Sequence, residues 1–495
     1  MTMPQSRAAR ARVVALAFAL AVLAGGCAST HGLVPTDRPM DADQLSIARS
    51  ADGFSHADFP RLDWWTAFGD PQLDALIDEA LAGTPSLAAA DARVRQAIAQ
   101  AGLAEAATEP SVGVGAQYSG IRIPSSVAPA PLGGSYKGVI LLSLNLKYDP
   151  DFWGGKRARW QAALGEARAS EVDAQAARLT LASNIASTYV VLAQAFAAQD
   201  VARDEKARST HLLELTRQRV KAGLDSQLPM RQAEASVAAA QQQADAAQRQ
   251  VQVARNALAA LLGKGPDRGL QLTRPAVLSA APATIPSLLP SDLLGHRPDV
   301  VAARWRVEAA RHGIKASKAA FYPSVNLAAM IGLASGGLSD LFSTDSAFIQ
   351  GGPAISLPIF DGGGLRSQLA KSDADYDLAV AAYNQSLVGA VREVADALQN
   401  ARALDAQTAS ARDAAGAAQA AWQLAQARYH AGLGTQLDVL AAQQPLLQLQ
   451  QQLTALRAQR LTAAVDLDRA LGGGLTPPAP TTTTTDPAIA KAPTP

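Results

Sequence analysis

The chain has one cysteine in 495 residues. No disulfide can form within it, so the fold must rest on packing and hydrogen bonding. Aromatic residues make up only 5%, which excludes a core of large rings and leaves small side chains to bring elements together. Neither sign of charge prevails, because 44 Lys and Arg stand against 43 Asp and Glu for a net charge of +1. No basic tract suits nucleic acid, and the one Arg cluster, Arg7 to Arg12, lies at the N-terminus. Beyond the N-terminal segment there is no run of eighteen apolar residues, so membrane-spanning helices are not expected and any crossing falls to strands. His31, His56, His211, His296, His312 and His430 are scattered, none at metal-ligand spacing with another. No Gly-rich loop precedes Lys-Ser or Lys-Thr, and no Ser lies in a Gly-x-Ser-x-Gly context. The composition therefore reads as a non-enzyme without metal or cofactor.

What is present begins with an export signal. Arg7, Arg10 and Arg12 precede the apolar run Val13 to Leu23, which ends in Ala24-Gly25-Gly26-Cys27. A basic head, a short apolar stretch and a small-residue cleavage site make a secretory leader. Two readings fit: a lipoprotein signal cut before Cys27, whose thiol then carries a diacylglycerol, or an ordinary leader with an incidental Cys. The lone Cys at the cleavage point favours lipidation. By resemblance to other lipoproteins, Ala28 after the Cys implies outer-membrane sorting, although Ala24 stands where their motif usually has Leu.

The rest of the chain is a duplication. Pro85 and Pro298 are 213 positions apart, as are Pro110 and Pro323. Arg219-Val220-Lys221-Ala222-Gly223-Leu224 and Arg428-Tyr429-His430-Ala431-Gly432-Leu433 are 209 apart. Three matches in one order establish a repeat. Each copy reads as a helix (86–108 and 300–321), an alternating strand opened by Pro, a Gly/Pro/Ser-rich loop (124–136 and 332–352) and a second strand (138–148 and 353–360). A Gly-rich exit and an Ala-rich segment of about sixty residues follow, which as a helix would rise roughly 90 Å. After the Arg-x-x-Ala-Gly-Leu turn a returning helix carries a heptad seam: Val237, Ala240, Ala244, Val251 and Leu258 in the first copy, Val439, Ala442, Leu446, Leu449 and Leu453 in the second. The expected organisation is a signal peptide at 1–26, a lipidated extended arm at 27–61 and a first repeat at 62–264 with its β-hairpin at about 111–148. A Pro-rich connection at 265–290, a second repeat at 291–474 with its hairpin at about 324–360, and a disordered Thr/Pro-rich tail at 475–495 follow.

Trp64-Trp65-x-x-Phe68-x-Asp70-Pro71, Gly295-His296-Arg297-Pro298-Asp299-Val300, Phe321-Tyr322-Pro323-Ser324 and the two Ala-Gly-Leu turns resemble the TolC-like outer-membrane factors, and more closely their NodT/OprM-like lipoprotein branch. The resemblance covers Leu62 to Gly474. It implies an α+β membrane protein: an outer-membrane β-barrel, four strands per chain and twelve in a homotrimer, continuing into a long α-helical periplasmic barrel. The implied function is the outer-membrane channel of a tripartite efflux pump, a passive exit duct for drugs or small toxic metabolites. Its partners would be a periplasmic adaptor, an inner-membrane transporter of RND type and outer-membrane lipid. Two alternatives stay open: the duct of a type I protein secretion system, and a non-conducting structural lipoprotein.

The helical turns are the candidate functional positions. Gly223 and Gly432 each follow a long helix, as a left-handed C-cap requires. Asp225-Ser226 and Thr435 are placed to cap the returning helices. By the resemblance, Arg219, Gly223, Leu224, Arg428, Gly432 and Leu433 belong to the turns that dock the adaptor, and Arg428, Tyr429 and Asp438 to a closed aperture. Pro229 stands where the second copy has Asp438, and Ala441 where the family often has an acidic residue. Trp64-Trp65 could stack on a ligand, but core or interface packing is the commoner use of such a pair.

Overall fold

The computed structural model describes residues 30, 32–45, 56–57, 59–127, 129, 134–279, 285–286 and 295–475. The expected signal peptide, Cys27 and all of the expected tail except Leu475 lie outside the described residues. A five-residue 3-10 turn, Trp64–Phe68, precedes α1 (Pro71–Gly83). The first repeat then runs α2 (Pro85–Ala106), β1 (Ser111–Arg122), β2 (Tyr136–Tyr148), α3 (Gly155–Lys221) and α4 (Gln227–Leu261). The second runs α5 (Pro298–Ala319), β3 (Ser324–Ser335), β4 (Ala347–Ser356), α6 (Gly364–His430) and α7 (Gln436–Ala470). Both long helices have 67 residues and both returning helices 35. Their ends obey the duplication: Gly155 and Gly364 are 209 apart, as are Leu261 and Ala470. In the connection between repeats, a short helix covers Pro266–Leu270, and Ile285–Pro286 pairs in parallel with His56–Ala57.

The described residues form two compact units, one drawn from residues up to 39, 94–170 and 303–383, the other from 40–93, 171–302 and 384–475. The first contains one sheet in the order β1-β2-β3-β4, antiparallel throughout. The pairing of β2 with β3 joins the hairpins of the two repeats, with Leu142 opposite Leu333 and Leu146 opposite Ala329. Because successive side chains alternate sides, this register gathers the apolar sets on one face. That face carries Val112, Val114 and Tyr118; Ile140, Leu142, Leu144 and Leu146; Leu327, Ile331 and Leu333; Ile349 and Ile355. The other carries Ser111, Gln117, Lys137, Ser143, Asn145, Lys147, Asn326 and Gln350, with Gln117 bonded to Ser119 and Asn145 to Ser143. Among the described residues nothing covers the apolar face: Val114 is 77% exposed and Ile349 81%.

The second hairpin differs from its expected bounds. Residues 332–352 read as a loop, yet β3 continues to Ser335 and β4 begins at Ala347 and ends at Ser356, short of Ile359-Phe360. The glycines that suggested a loop serve the ladder. A Cβ at Gly332 would collide with the Leu142 carbonyl oxygen, and one at Gly351 would lie 2.6 Å from the Ala328 carbonyl oxygen. Glycine in a strand marks such close approach of backbones.

An extended arm lies beside α6 in the same unit. The Asp377 carboxylate accepts the backbone N–H groups of Thr36 and Asp37, both at 3.0 Å, and the Thr36 hydroxyl at 2.9 Å. These bonds hold the Asp377 carboxyl below its ordinary range, the Asp37 N–H most of all.

The second unit is helical. Ile77, Ile185, Tyr189, Leu192 and Leu258 are fully buried at its core, together with Trp64 and Trp65, which meet edge to face at 5.8 Å. Asp70 caps α1 through the Gln72 N–H at 3.0 Å. Its other oxygen accepts the Tyr189 hydroxyl at 2.9 Å and the Ala276 N–H at 3.0 Å. By composition α3 contains a stretch apolar enough to cross a membrane, but 56% of that stretch is buried inside the chain, as a core helix requires. The seam positions Ala240, Val251, Ala254 and Leu258 of α4 and Val439, Leu446, Leu453 and Leu456 of α7 are buried. Ala at the seam lets helix axes approach closely.

All four of these helices end on the same backbone device. Gly223, Gly263, Gly432 and Gly472 take positive φ, at 71°, 68°, 72° and 96°. The following N–H reaches back to a carbonyl of the last turn: Leu224 to Arg219, Lys264 to Ala259, Leu433 to Arg428 and Gly473 to Asp468, at 2.8–2.9 Å. This is the Schellman pattern, which satisfies carbonyls that lack an intrahelical partner.

Near the end of α7, burial alone pushes the Asp468 carboxyl up to about 7. An unfolded Asp ionises near 3.9, so between about pH 4 and 7 the unfolded chain gives up a proton that the folded chain keeps, and stability falls as pH rises. Asp468→Asn is expected to raise stability by about 1–3 kcal/mol above pH 7 and to leave it unchanged near pH 4. Melting in detergent at pH 8 and pH 4 checks this, and an equal shift at both values would refute it.

Candidate functional site: the two helical turns

The two turns share a backbone and differ in their side chains. In the first, Arg219 on the last turn of α3 donates to both oxygens of Asp225, from Nε at 2.7 Å and from Nη2 at 3.1 Å. This forked bond holds the Asp225 carboxyl below the usual range. In the second, Gly434 occupies the place of Asp225, and Arg428 donates instead to the Leu433 carbonyl at 3.2 Å. One turn is clamped by a charged pair and the other by a single backbone bond.

Capping is asymmetric in the opposite sense. Thr435 and Asp438 form a reciprocal box: the Asp438 N–H donates to the Thr435 hydroxyl at 3.3 Å, and the Asp438 carboxylate accepts the Thr435 N–H at 2.7 Å and hydroxyl at 2.9 Å. Those bonds, the backbone one first, keep the Asp438 carboxyl low. In the first copy Ser226 is the N-cap but makes no side-chain cap bond, contrary to the expectation from sequence. Pro229 supplies the reason. It occupies the third helical position, where the N–H that a cap side chain would accept is missing, and Asp225 is already engaged by Arg219.

Both turns present apolar groups to solvent. Leu224 is 66% exposed and Leu433 70%. Tyr429 is exposed and tilted against His430, with ring centroids 5.7 Å apart. Of the six turn residues, then, Gly223 and Gly432 set the backbone, Arg219 and Arg428 brace it, and Leu224 and Leu433 stand free of the chain. The sequence offered Asp225 as a cap for the returning helix; the structure makes it the partner of Arg219 instead, and an Arg and an Asp six apart across an Ala-Gly-Leu turn was the available signal. Asp438, an aperture candidate, is engaged in the cap, and Arg428 lies close enough to help keep it ionised.

The other motifs are structural. Trp64 and Trp65 are buried. Arg297 is buried and donates to Asp299 at 2.7 Å, to Glu393 at 2.9 Å and to the Ala470 carbonyl at the end of α7 at 3.0 Å. A Cβ at Gly472 would collide with the His296 carbonyl oxygen, and one at the equivalent Gly263 would lie 2.7 Å from Pro85 Cδ. In each repeat the end of the returning helix therefore seats on the start of the first. Among the described residues no cluster of His, Cys, Asp and Glu is arranged to hold a metal.

Thr435→Ala is expected to cost about 1 kcal/mol locally, the ordinary loss for an N-cap, and to speed amide exchange over the first turn of α7 several-fold. Ser226→Ala, which removes no cap bond, is expected to leave the first turn of α4 unchanged. Hydrogen exchange with mass detection separates the two.

Residues 76–264 and 289–473 match the outer membrane efflux protein family. The fusaric acid resistance protein FusA of Burkholderia cepacia is 38% identical over 377 residues, 75% of this chain and 71% of FusA. The multidrug resistance outer membrane protein MdtP of Escherichia coli (strain K12) is 30% identical over 461 residues, 91% of this chain and 94% of MdtP. The crystal structure of the outer membrane protein VceC from Vibrio cholerae superposes with a TM-score of 0.76 at 37% identity, covering 84% of this chain and 100% of VceC. The fold is that of the TolC-like outer-membrane channels. The protein is thus the outer-membrane channel of an efflux system, placed in the outer membrane and extending into the periplasm, with an adaptor and an inner-membrane transporter implied as partners. With both repeats matched over nearly their full length, the chain belongs to the outer membrane efflux protein family.

Proposed function

We propose that three copies close a twelve-stranded barrel and form the passive exit duct of a tripartite efflux pump. The observation that carries this reading is the four-stranded sheet. Among the described residues β1 and β4 each leave one edge unpaired, and nothing covers the face bearing Ile331 and Ile349. An open edge cannot sit in lipid, because unpaired backbone groups there cost several kcal/mol each. Four strands are too few to close around a lumen. Pairing β4 of one copy with β1 of the next removes every edge and turns the apolar face to lipid. Aromatic residues at the sheet's margins support this orientation. Tyr118 and Tyr136 lie on the apolar face toward the hairpin loops, and Trp153 stacks on Tyr322 at 4.8 Å beside the helix-joined ends. Barrels place such rings at both lipid interfaces.

Acylation of Cys27 would add a lipid anchor to the arm that Asp377 holds. The exposed Leu224 and Leu433, on turns of fixed backbone, suit docking by a periplasmic adaptor, with an inner-membrane transporter of RND type beyond it. FusA and MdtP are named for resistance to fusaric acid and to multiple drugs, which favours small toxic compounds as cargo over secreted proteins. At the aperture, Arg428 and Tyr429 are the groups left to bond between copies.

The protein purified in detergent is expected to run as a heat-modifiable trimer and to conduct in planar bilayers; a folded, monodisperse monomer would overturn the assembly. Ile331→Arg, on the apolar face, is expected to cost about 2–4 kcal/mol of barrel stability and to lower the yield of heat-resistant trimer. Met330→Arg, on the polar face, is expected to be tolerated. Equal yields from the two variants would reverse or abolish the assigned facing. Arg428→Ala is expected to raise single-channel conductance, and an unchanged conductance would remove Arg428 from the aperture.

A further inference from the structure

The four strands contain no Asp or Glu, and their only charged residues are Arg122, Lys137 and Lys147. Register separates the three. Arg122 pairs with Tyr136 on the apolar side at the hairpin end. Lys137 and Lys147 lie on the polar face, opposite Ile121 and opposite Ser111 and Ala328 respectively. They mark the two ends of β2, ten residues or about 33 Å apart along the strand. With the tilt of barrel strands that spans roughly the 25 Å apolar band of an outer-membrane barrel. Between them the polar face offers only neutral groups such as Gln117, Ser143, Asn145, Asn326 and Gln350.

Neither lysine has an ion-pair partner among the described residues. Beyond the helix-joined ends and outside the strands, Asp149 pairs with Lys156 at 3.1 Å, while Asp151 accepts the Arg157 N–H at 2.7 Å and Asp361 the N–H groups of Gly363 and Leu365, so neither of these bonds to a strand lysine though both keep their charge. At the other end Asp340 and Asp345 belong to the loop between β3 and β4, outside the strands.

We infer that the sheet-lined part of the duct selects for anions, with Lys147 and Lys137 as its specificity-determining residues, and that its favoured cargo is organic acids carrying net negative charge. The inference rests on the trimeric duct proposed above, in which threefold symmetry makes each lysine a ring of three at one mouth of the barrel. Rings of Lys or Arg confer anion preference on pores. The field of such a ring reaches about 30 Å at 0.01 M salt and about 3 Å at 1 M. The preference must therefore be strong in dilute salt and vanish in concentrated salt, which separates it from selection by size.

The test is the reversal potential of the full-length trimer in planar bilayers under a KCl gradient, in dilute and in molar salt. The wild type is expected to favour chloride in dilute salt. The double variant Lys137→Glu/Lys147→Glu is expected to shift the chloride-to-potassium permeability ratio toward potassium by at least about 3-fold, and Lys264→Glu, outside the strands, to leave it unchanged. Heat-modifiable trimer is measured for each variant, so a misfolded protein is not scored as non-selective; Lys137→Gln/Lys147→Gln, expected to lie between wild type and the Glu variant, serves if the Glu variant fails to assemble. A ratio unmoved by the lysine variants, or moved equally by Lys264→Glu, would overturn the inference while leaving the duct intact. Absence of current from every trimer would overturn the duct and the inference together.

Discussion

A backbone N–H or C=O must have a partner, and most of this structure can be read as the consequences of that requirement. The long helices satisfy it internally and meet it at their ends with a left-handed glycine and a reaching-back N–H. The sheet satisfies it along three strand pairs and, among the described residues, leaves it unmet along two edges. In water such edges invite association, and in a bilayer they are untenable. The trimer proposed above therefore answers a demand of the backbone before any side chain is considered.

The duplication supplies one solution twice, and the differences between copies are local. Where the first turn has Asp225 the second has Gly434, and where the first has Pro229 the second has Asp438. Each pair of changes exchanges one brace for another. The first turn gains a forked ion pair and loses its cap. The second gains a cap and keeps only one Arg-to-carbonyl bond. A charged pair across the turn fixes one strut against the other, whereas a cap orders only the helix start. The second turn is therefore the less constrained at Arg428 and Tyr429.

The motifs that identify the family have mostly structural duties. Arg297 satisfies the end of α7 and two carboxylates at once, and Asp70 ties α1, Tyr189 and the connection after α4 into one buried network. Removing one partner of such a buried charged group leaves the others unpaired, at a cost of about 3–5 kcal/mol. In the anion-selective duct inferred above, the residues that set cargo preference, Lys137 and Lys147, belong to none of these motifs.

The amino-acid sequence by itself determined the repeat, the long and the returning helix of each copy, the alternation of β1, β2 and β3, and the glycines Gly223 and Gly432 that end the long helices. These are properties of spacing, and spacing survives without coordinates. It misplaced β4 and the extent of its loop, because Gly332 and Gly351 give the same signal in a turn and beneath a neighbouring backbone. It also offered Ser226 as a cap without showing that Pro229 lacks the N–H to be capped from that side chain, although both residues were in view. Only the tertiary structure decided that β2 pairs with β3, strands nearly two hundred residues apart, and in which register. Alternation gives each strand two faces, but a shift of one residue would have sent every Leu of β2 to the other side of β3's apolar set. Long-range pairing settles that choice, and with it which residues share the apolar face and which the polar one.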